Sequence, residues 1–274
     1  SDLLVTYDTT ASLAAGSVTV LTASDVVLSA ASKTSTTGSA TAAVTGDSET
    51  AGIGVSVALN IVDADTVAEI ADGAVVTGAD DIAISATGDH SMSTTTEAGA
   101  ASGGVAVGGA VSIGIADNAT TARVGVDAGP LALSGTLSLD AEHSGSTLAE
   151  AEGAAVAGSV GVGAALALNI VDDSAVAVVE RDVTALGDVS LSADVISASS
   201  AVAVAGAEGA AADGEGTAND QASDQTSFAD SKNTGEGGPA GAVDGAESSD
   251  GAIGVAAALG LNIATSRASA TIAP

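Results

Sequence analysis

The segment at residues 52–70, GIGVSVALNIVDADTVAEI, returns three times along the chain, at 105–124, 160–179 and 253–272. Aligned on Asn60, the copies place Gly114, Asn169 and Asn262 at the equivalent position, with spacings of 54, 55 and 93 residues. A unit that recurs every few tens of residues cannot bury its own apolar face and is completed by neighbours stacked on it. The sequence is therefore expected to form one continuous array over residues 1–274, with repeat elements at about 1–51, 52–103, 104–157, 158–205 and 251–274. Residues 8–16 match residues 65–73, and 270–274 match 68–72, so both ends fall inside a repeat and the sequence reads as a piece of a longer protein.

Within the unit, large apolar side chains stand at every second position: Val55, Val57, Leu59 and Ile61, then Val111, Ile113 and Ile115, then Leu166, Leu168 and Ile170. Period two belongs to a strand, not to a helix. The alternate positions are small, as at Gly54, Ser56 and Ala58 or Gly108, Ala110 and Ser112. One face is bulky and the other nearly bare, and a bare face lets a second sheet approach closely. Both faces are expected to be covered for part of each strand, with Leu59 and Leu168 inside, so that Leu59→Asp or Leu168→Asp should abolish folding. Each repeat continues with a short alternating strand (DVVLSA, DIAISA, TLSLDA or DVSLSA) and a third stretch rich in Ser, Thr, Ala and Glu. Divided this way, one repeat makes roughly three rungs of about 18 residues at ~4.8 Å per rung. The predicted fold is all-β: a repetitive parallel β-solenoid, or β-helix, with stacked antiparallel β repeats as the alternative.

The last spacing is too long, and the excess lies at 206–250, a low-complexity acidic stretch poor in β-branched and aromatic residues. Such a composition cannot offset the entropy of ordering, so it reads as a long loop insertion leaving one edge of the array. Deletion of residues 213–247 should be tolerated, and Phe228 is the one ring available to pin the loop. Elsewhere the core must be built from Ala, Val, Ile and Leu, because aromatic residues are only 1% of the chain while hydrophobic residues are 46%. Thin, closely packed sheets follow from that. The net charge of −30 repels polyanions and excludes nucleic acid as a partner. The longest apolar run, 156–171, is too short to span a bilayer and alternates with period two, so no membrane insertion is expected. Without cysteine there is neither a disulfide framework nor a thiolate metal site.

Acidic residues recur after the leading strand: Asp63 and Asp65, Asp117 beside Asn118, and Asp172 with Asp173. One repeat apart, their carboxylates could make a ladder suited to Ca²⁺, an oxygen-seeking cation. The competing and favoured reading makes them turn formers, with diffuse salt screening instead of site-bound Ca²⁺ and no cofactor at all. His90 and His143 sit in Asp-His-Ser and Glu-His-Ser. Consecutive strand residues point to opposite faces and cannot converge as a catalytic triad, so the histidines are expected to face solvent in adjacent repeats. Gly161-Val-Gly163 opens like a dinucleotide loop, but Leu166 holds the third glycine position and no helix follows. A polysaccharide-active β-helix enzyme, the least favoured alternative, would need clustered acid and base groups with aromatic platforms for sugar rings. Aromatics are missing, and Lys33, Arg123, Arg181, Lys232 and Arg267 are scattered.

With those residues in view, the repeat resembles that of very large bacterial surface proteins of the leukotoxin-like filamentous adhesin kind, in which GVGxSVAVNIVxxxTxAxI precedes GAxVxAxGDVxVSA. Residues 54–70 followed by 73–86, and 161–179 followed by 183–193, are the counterparts here. The acidity and the long insert depart from that pattern. The resemblance implies a β-solenoid shaft at the cell surface or outside the cell, non-enzymatic, structural or adhesive, meeting a surface ligand or neighbouring copies of itself. A self-assembling extracellular filament subunit joined by strand pairing is the alternative.

Overall fold

The structure, a computed structural model, describes residues 1–44, 50–208, 246–249 and 253–273. In chain order its strands are β1 (Asp2–Leu13), β2 (Val18–Val44), β3 (Ala51–Ile70), β4 (Val75–Ser102), β5 (Val105–Val124), β6 (Leu131–Leu133), β7 (Leu137–Ala157), β8 (Val160–Val179), β9 (Val183–Ala185), β10 (Val189–Glu208), β11 (Ala246–Ser249) and β12 (Ile253–Ile272). One sheet has the order β1-β3-β5-β8-β12. The other runs β2-β4-β7-β10-β11, with β6 and β9 beside the start of β4. Every pairing is parallel, so the chain crosses from one sheet to the other and returns one strand further along each time. The result is the expected all-β parallel solenoid, not an antiparallel stack.

One repeat makes one coil, which corrects the expectation of three rungs. Ala51 pairs with Val105, Val105 with Val160 and Val160 with Ile253. The period-two pattern of β4 and β7 runs unbroken from the apolar DIAISA and TLSLDA segments through the polar stretch behind them. The change in composition marks a change in what the strand faces, not a corner. True corners lie at 71–74, where Gly73 adopts a φ of 71°, and at 103–104 and 158–159 on the opposite edge. There the Gly158 N–H donates to the Ser102 carbonyl and the Ser159 N–H to that of Gly104, stacking one corner on the next.

The two sheets pack through their small faces. In β3 the inward row is Gly52, Gly54, Ser56, Ala58, Asn60, Val62, Ala64, Thr66, Ala68 and Ile70, all buried. Leu59 and Leu168 belong to the opposite row and face outward, half-buried by their strand neighbours, while Ile53 and Val55 are 66% and 57% exposed. The expectation that Leu59 and Leu168 are core residues is therefore corrected. The reason is the width of the slot: the second sheet also presents Ala149, Ala151 and Gly153 here, and only small residues fit between. A Cβ added at Gly108 would sit 1.9 Å from the Ala154 carbonyl oxygen, so backbone meets backbone at this edge. Ordinary face-to-face sheets stand ~10 Å apart with interdigitating side chains.

The interior widens toward the other edge. Ile70, Val124 and Val179 there meet Ile82, Ile84, Leu131, Leu137 and Leu139, the largest fully buried apolar side chains. Between this apolar end and the Ala/Gly end lies a polar seam. β12 lies directly against β8 in register, Asn262 beside Asn169, although 93 residues separate them. Of the stretch 206–250, Gly206–Glu208 continue β10 and pair with Glu247–Ser249 of β11. The remainder, including Phe228, Lys232 and most of the 213–247 deletion, lies outside the described residues.

Candidate functional site

Asparagine enters the interior at one row because Asn60, Asn169 and Asn262 of the first sheet each meet a hydroxyl in the second. The row Asn60, Gly114, Asn169, Asn262 faces the row Thr36, Met92, Thr147, Ser199. Asn169 Nδ2 donates to Thr147 Oγ1 at 2.9 Å, Asn262 Nδ2 to Ser199 Oγ at 2.8 Å and Asn60 Nδ2 to Thr36 Oγ1 at 3.4 Å. Where the first row has glycine, the residue facing it in the second is methionine: a Cβ on Gly114 would lie 2.9 Å from Met92 Cε. Polar partner and apolar filler thus change together, as buried polar groups require.

Next in the seam are the two histidines, and both are buried, at 4% and 3% exposure. The solvent-facing expectation is overturned because the inward row of the second sheet passes through both positions. Their rings lie 5.4 Å apart. His90 Nδ1 pairs with Thr34 Oγ1 at 2.8 Å. Burial, then the neighbouring His143, holds the His90 imidazole below its ordinary value against the opposing pull of Asp173 and Asp89. His143 Nδ1 lies 3.2 Å from Thr120 Oγ1, and its Nε2 lies 3.2 Å from Asp173 Oδ1. Asp173 accepts from Asn118 Nδ2 at 2.8 Å and from Ser197 Oγ. Burial pulls the Asp173 carboxyl upward, but the contacts from His143, Asn118 and Ser197 outweigh it and hold it below its ordinary value.

Thr120, His143 and Asp173 reproduce the hydroxyl–imidazole–carboxylate order of a hydrolase triad, assembled from β5, β7 and β8 rather than from consecutive residues. No substrate can meet it, since the side chains of His143 and Asp173 are wholly buried and Thr120 is 0% exposed. What the group does is tie the sheets together and fix their mutual register. Sequence reading missed it because its members are tens of residues apart in different strands. The signal that was available is the parity of those strands: each member shares the inward parity of its small-residue row.

The five aspartates named for Ca²⁺ divide between two faces. Asp63, Asp117 and Asp172 pair in register on the outer face of the first sheet, one strand apart. They lie in mid-strand, so the turn-former reading is corrected: the alternation of the apolar half runs straight on through them. Asp65 stands in the next outer row, opposite Asp8. Asp173 points the other way, into the seam. Burial against the sheet, then Asp172 and Asp63, pushes the Asp117 carboxyl up. Asp65 is likewise raised, by burial and then by Asp63, Asp8 and Asp117. Arg267 pairs with Asp172 at the end of the ladder. Among the described residues no group of three or more His, Asp or Glu side chains has the geometry to hold a metal ion.

Further along the same face, Arg123 reaches Glu69, Asp72 and Glu180 at 3.0 to 3.1 Å, linking three successive coils. Arg181, buried at the corner beside it, donates to the carbonyls of Gly125, Ala74 and Ala71. Two cations that look scattered in sequence are thus clamps at one edge. On the outer face of the second sheet, a groove of about 540 Å³ is lined by Thr87, Asp89, Glu142, Ser144, Asp194 and Ile196 together with Gly88, His143 and Val195. Glu142 and Asp194 are register neighbours there, and the outward rows of β4 and β7 around them are mostly Ser, Thr and acidic residues. No helix among the described residues is long and apolar enough to cross a membrane. Comparison with protein-family models, with curated proteins and with solved structures finds no match to this chain.

Proposed function

We propose that this chain is a non-enzymatic structural and adhesive segment of a large cell-surface or extracellular fibrous protein, of the kind its repeat resembles. The reading is supported chiefly by the register of the first sheet, which passes through β3, β5 and β8 without a slip. Every added repeat lengthens the same body and displays the same outward rows, which is what a scaffold needs. As far as β8 each coil spends 54 to 57 residues on one strand spacing of ~4.8 Å, while strands of 20 residues span ~66 Å. Such a segment is a broad blade. The polar groups of the seam join the two sheets, and the triad-like cluster among them is sealed off. The acidic outer groove of the second sheet offers a ligand-facing surface, suited to polar or cationic groups on a partner.

The test is immunolabelling of the source cells with antibodies raised against this segment, before and after permeabilisation. Labelling of intact cells, removed by external protease, is the expected result. Signal seen only after permeabilisation would rule the surface reading out.

A further inference from the structure

The outer face of the first sheet is divided in two. From Ile53 to Ile61 in β3, and at the paired positions of β5, β8 and β12, the outward residues are Val, Ile and Leu with a few Gly and Ala; beyond Ile61 the same face turns to the Asp63–Asp117–Asp172 ladder. The row that starts at Val55 continues as Gly109, Ala164 and Ala257, and so forms a furrow between two rows of larger side chains. Nothing among the described residues covers this half, and Val57, Val255 and Leu259 are 46%, 48% and 47% exposed. On the second sheet's outer face the apolar residues Leu148, Val156, Ile196, Val202 and Val204 are interrupted by Ser, Thr and Glu of β4, β7 and β10, so no unbroken apolar block of this kind forms there. Contiguous exposed apolar area of this kind marks an interaction surface.

We propose that this apolar half is a self-association surface whose occupant is the same half of a second copy of the chain. Four strands at ~4.8 Å and nine residues at ~3.3 Å give roughly 19 by 30 Å, about 600 Å² per copy and about 1,200 Å² per pair, the lower bound for a specific interface. The furrow lets the ridge of one copy seat against the other. Charge then selects the orientation. A two-fold axis along the strands would lay one aspartate ladder over the other, which the already raised Asp117 carboxyl disfavours. A two-fold axis along the stacking direction, passing near Val57, overlaps the apolar halves and sends the acidic halves to opposite ends. The net charge of −30 also repels an anionic bilayer, which leaves a second copy, screened by salt, as the better fit than a lipid surface. The inference concerns the isolated chain and does not depend on where the protein resides.

Analytical ultracentrifugation from nanomolar to high micromolar protein reads this directly. The mass should rise reversibly from 25.3 kDa toward twice that value, and more readily at higher salt. Val57→Lys combined with Leu166→Lys should weaken the dimer roughly 100-fold or more, because each pairing would bury uncompensated charge. Thr95→Lys with Ser146→Lys, the same charge change on the second sheet's outer face, should leave association unchanged, and melting curves should show both variants folded. Under mild oxidation Val57→Cys should cross-link between copies, whereas Val67→Cys, in the acidic half, should not. A constant monomer mass overturns the proposal. So does association that survives the Val57 and Leu166 changes, which would point to end-to-end strand pairing. Equal cross-linking at positions 57 and 67 would contradict the orientation.

Discussion

Gly108 sets the distance between the sheets at their thin edge. With the Ala154 carbonyl 1.9 Å from where a Cβ would stand, neither side can yield without moving a backbone that is hydrogen-bonded on both flanks. Overpacking of a dense interior typically costs ~1–3 kcal/mol. Gly108→Ala should therefore destabilise by at least about that much in denaturant melts, although alanine favours neither turn nor break. The seam carries a second residue-scale expectation, in pH. A histidine held below its ordinary value binds fewer protons folded than unfolded, so its contribution is complete above about pH 6.5 and is lost as the pH falls below that. His90 has this sign. Asp173, also lowered, withdraws its contribution at more acid pH, whereas Asp65 and Asp117, both raised, work in the opposite direction. The melting temperature should thus fall between about pH 6.5 and 5. The fall should be smaller in His90→Gln, where the carboxylates are unchanged and the imidazole is gone. An identical pH profile in the variant would remove His90 from the account.

At the scale of the strand, the decisive question is which of two alternating faces turns inward. The bulky row and the small row both have period two, so hydrophobic periodicity identified β3, β5, β8 and β12 as strands but could not orient them; the usual rule that large apolar residues are core residues pointed the wrong way. Orientation depends on what the opposite sheet presents. Ala149, Ala151 and Gly153 of β7 leave a slot that fits Ala165, Gly163 and their like, and no reading of one strand alone contains that fact. The same limit explains the rung count, since the polar half of β7 reads as a separate element until its inward Thr147 is seen to pair with Asn169. The repeat and its parallel stacking were legible because they are recorded as spacing; the seam was not, because it joins residues on eight strands. Two substitutions of the same kind separate the orientations. Leu59→Asp, on the outer face, should cost about 1 kcal/mol or less. Leu139→Asp, inward and 1% exposed, should prevent folding by burying an unpaired charge that costs several kcal/mol. Circular dichroism with thermal melting distinguishes them, and equal damage from both would contradict the assignment of faces.

For the molecule as a whole, the pieces combine into a tapered, two-sheet coil that exposes an apolar half-face and hides its polar chemistry. The acidic surface, with 35 acidic residues against 5 basic ones, favours dispersal of such a body, while one apolar patch stays exposed. Clamps such as Arg123 join successive coils at the wide edge, and the Asn–hydroxyl rows join the sheets at mid-width. Everything in this picture follows from the inward placement of the small face, and the natural absence of cysteine allows that placement to be read residue by residue. The measurement is the rate of thiol labelling in Val57→Cys and Ala58→Cys variants, compared in native and denaturing buffer, at nanomolar protein where a second copy does not shield the face. Adjacent positions on one strand should differ widely: position 57 labels at nearly its denatured rate, and position 58, 0% exposed in the native chain, labels only as the protein unfolds. Protection of position 57 with free access at position 58 would contradict the account and turn the solenoid inside out.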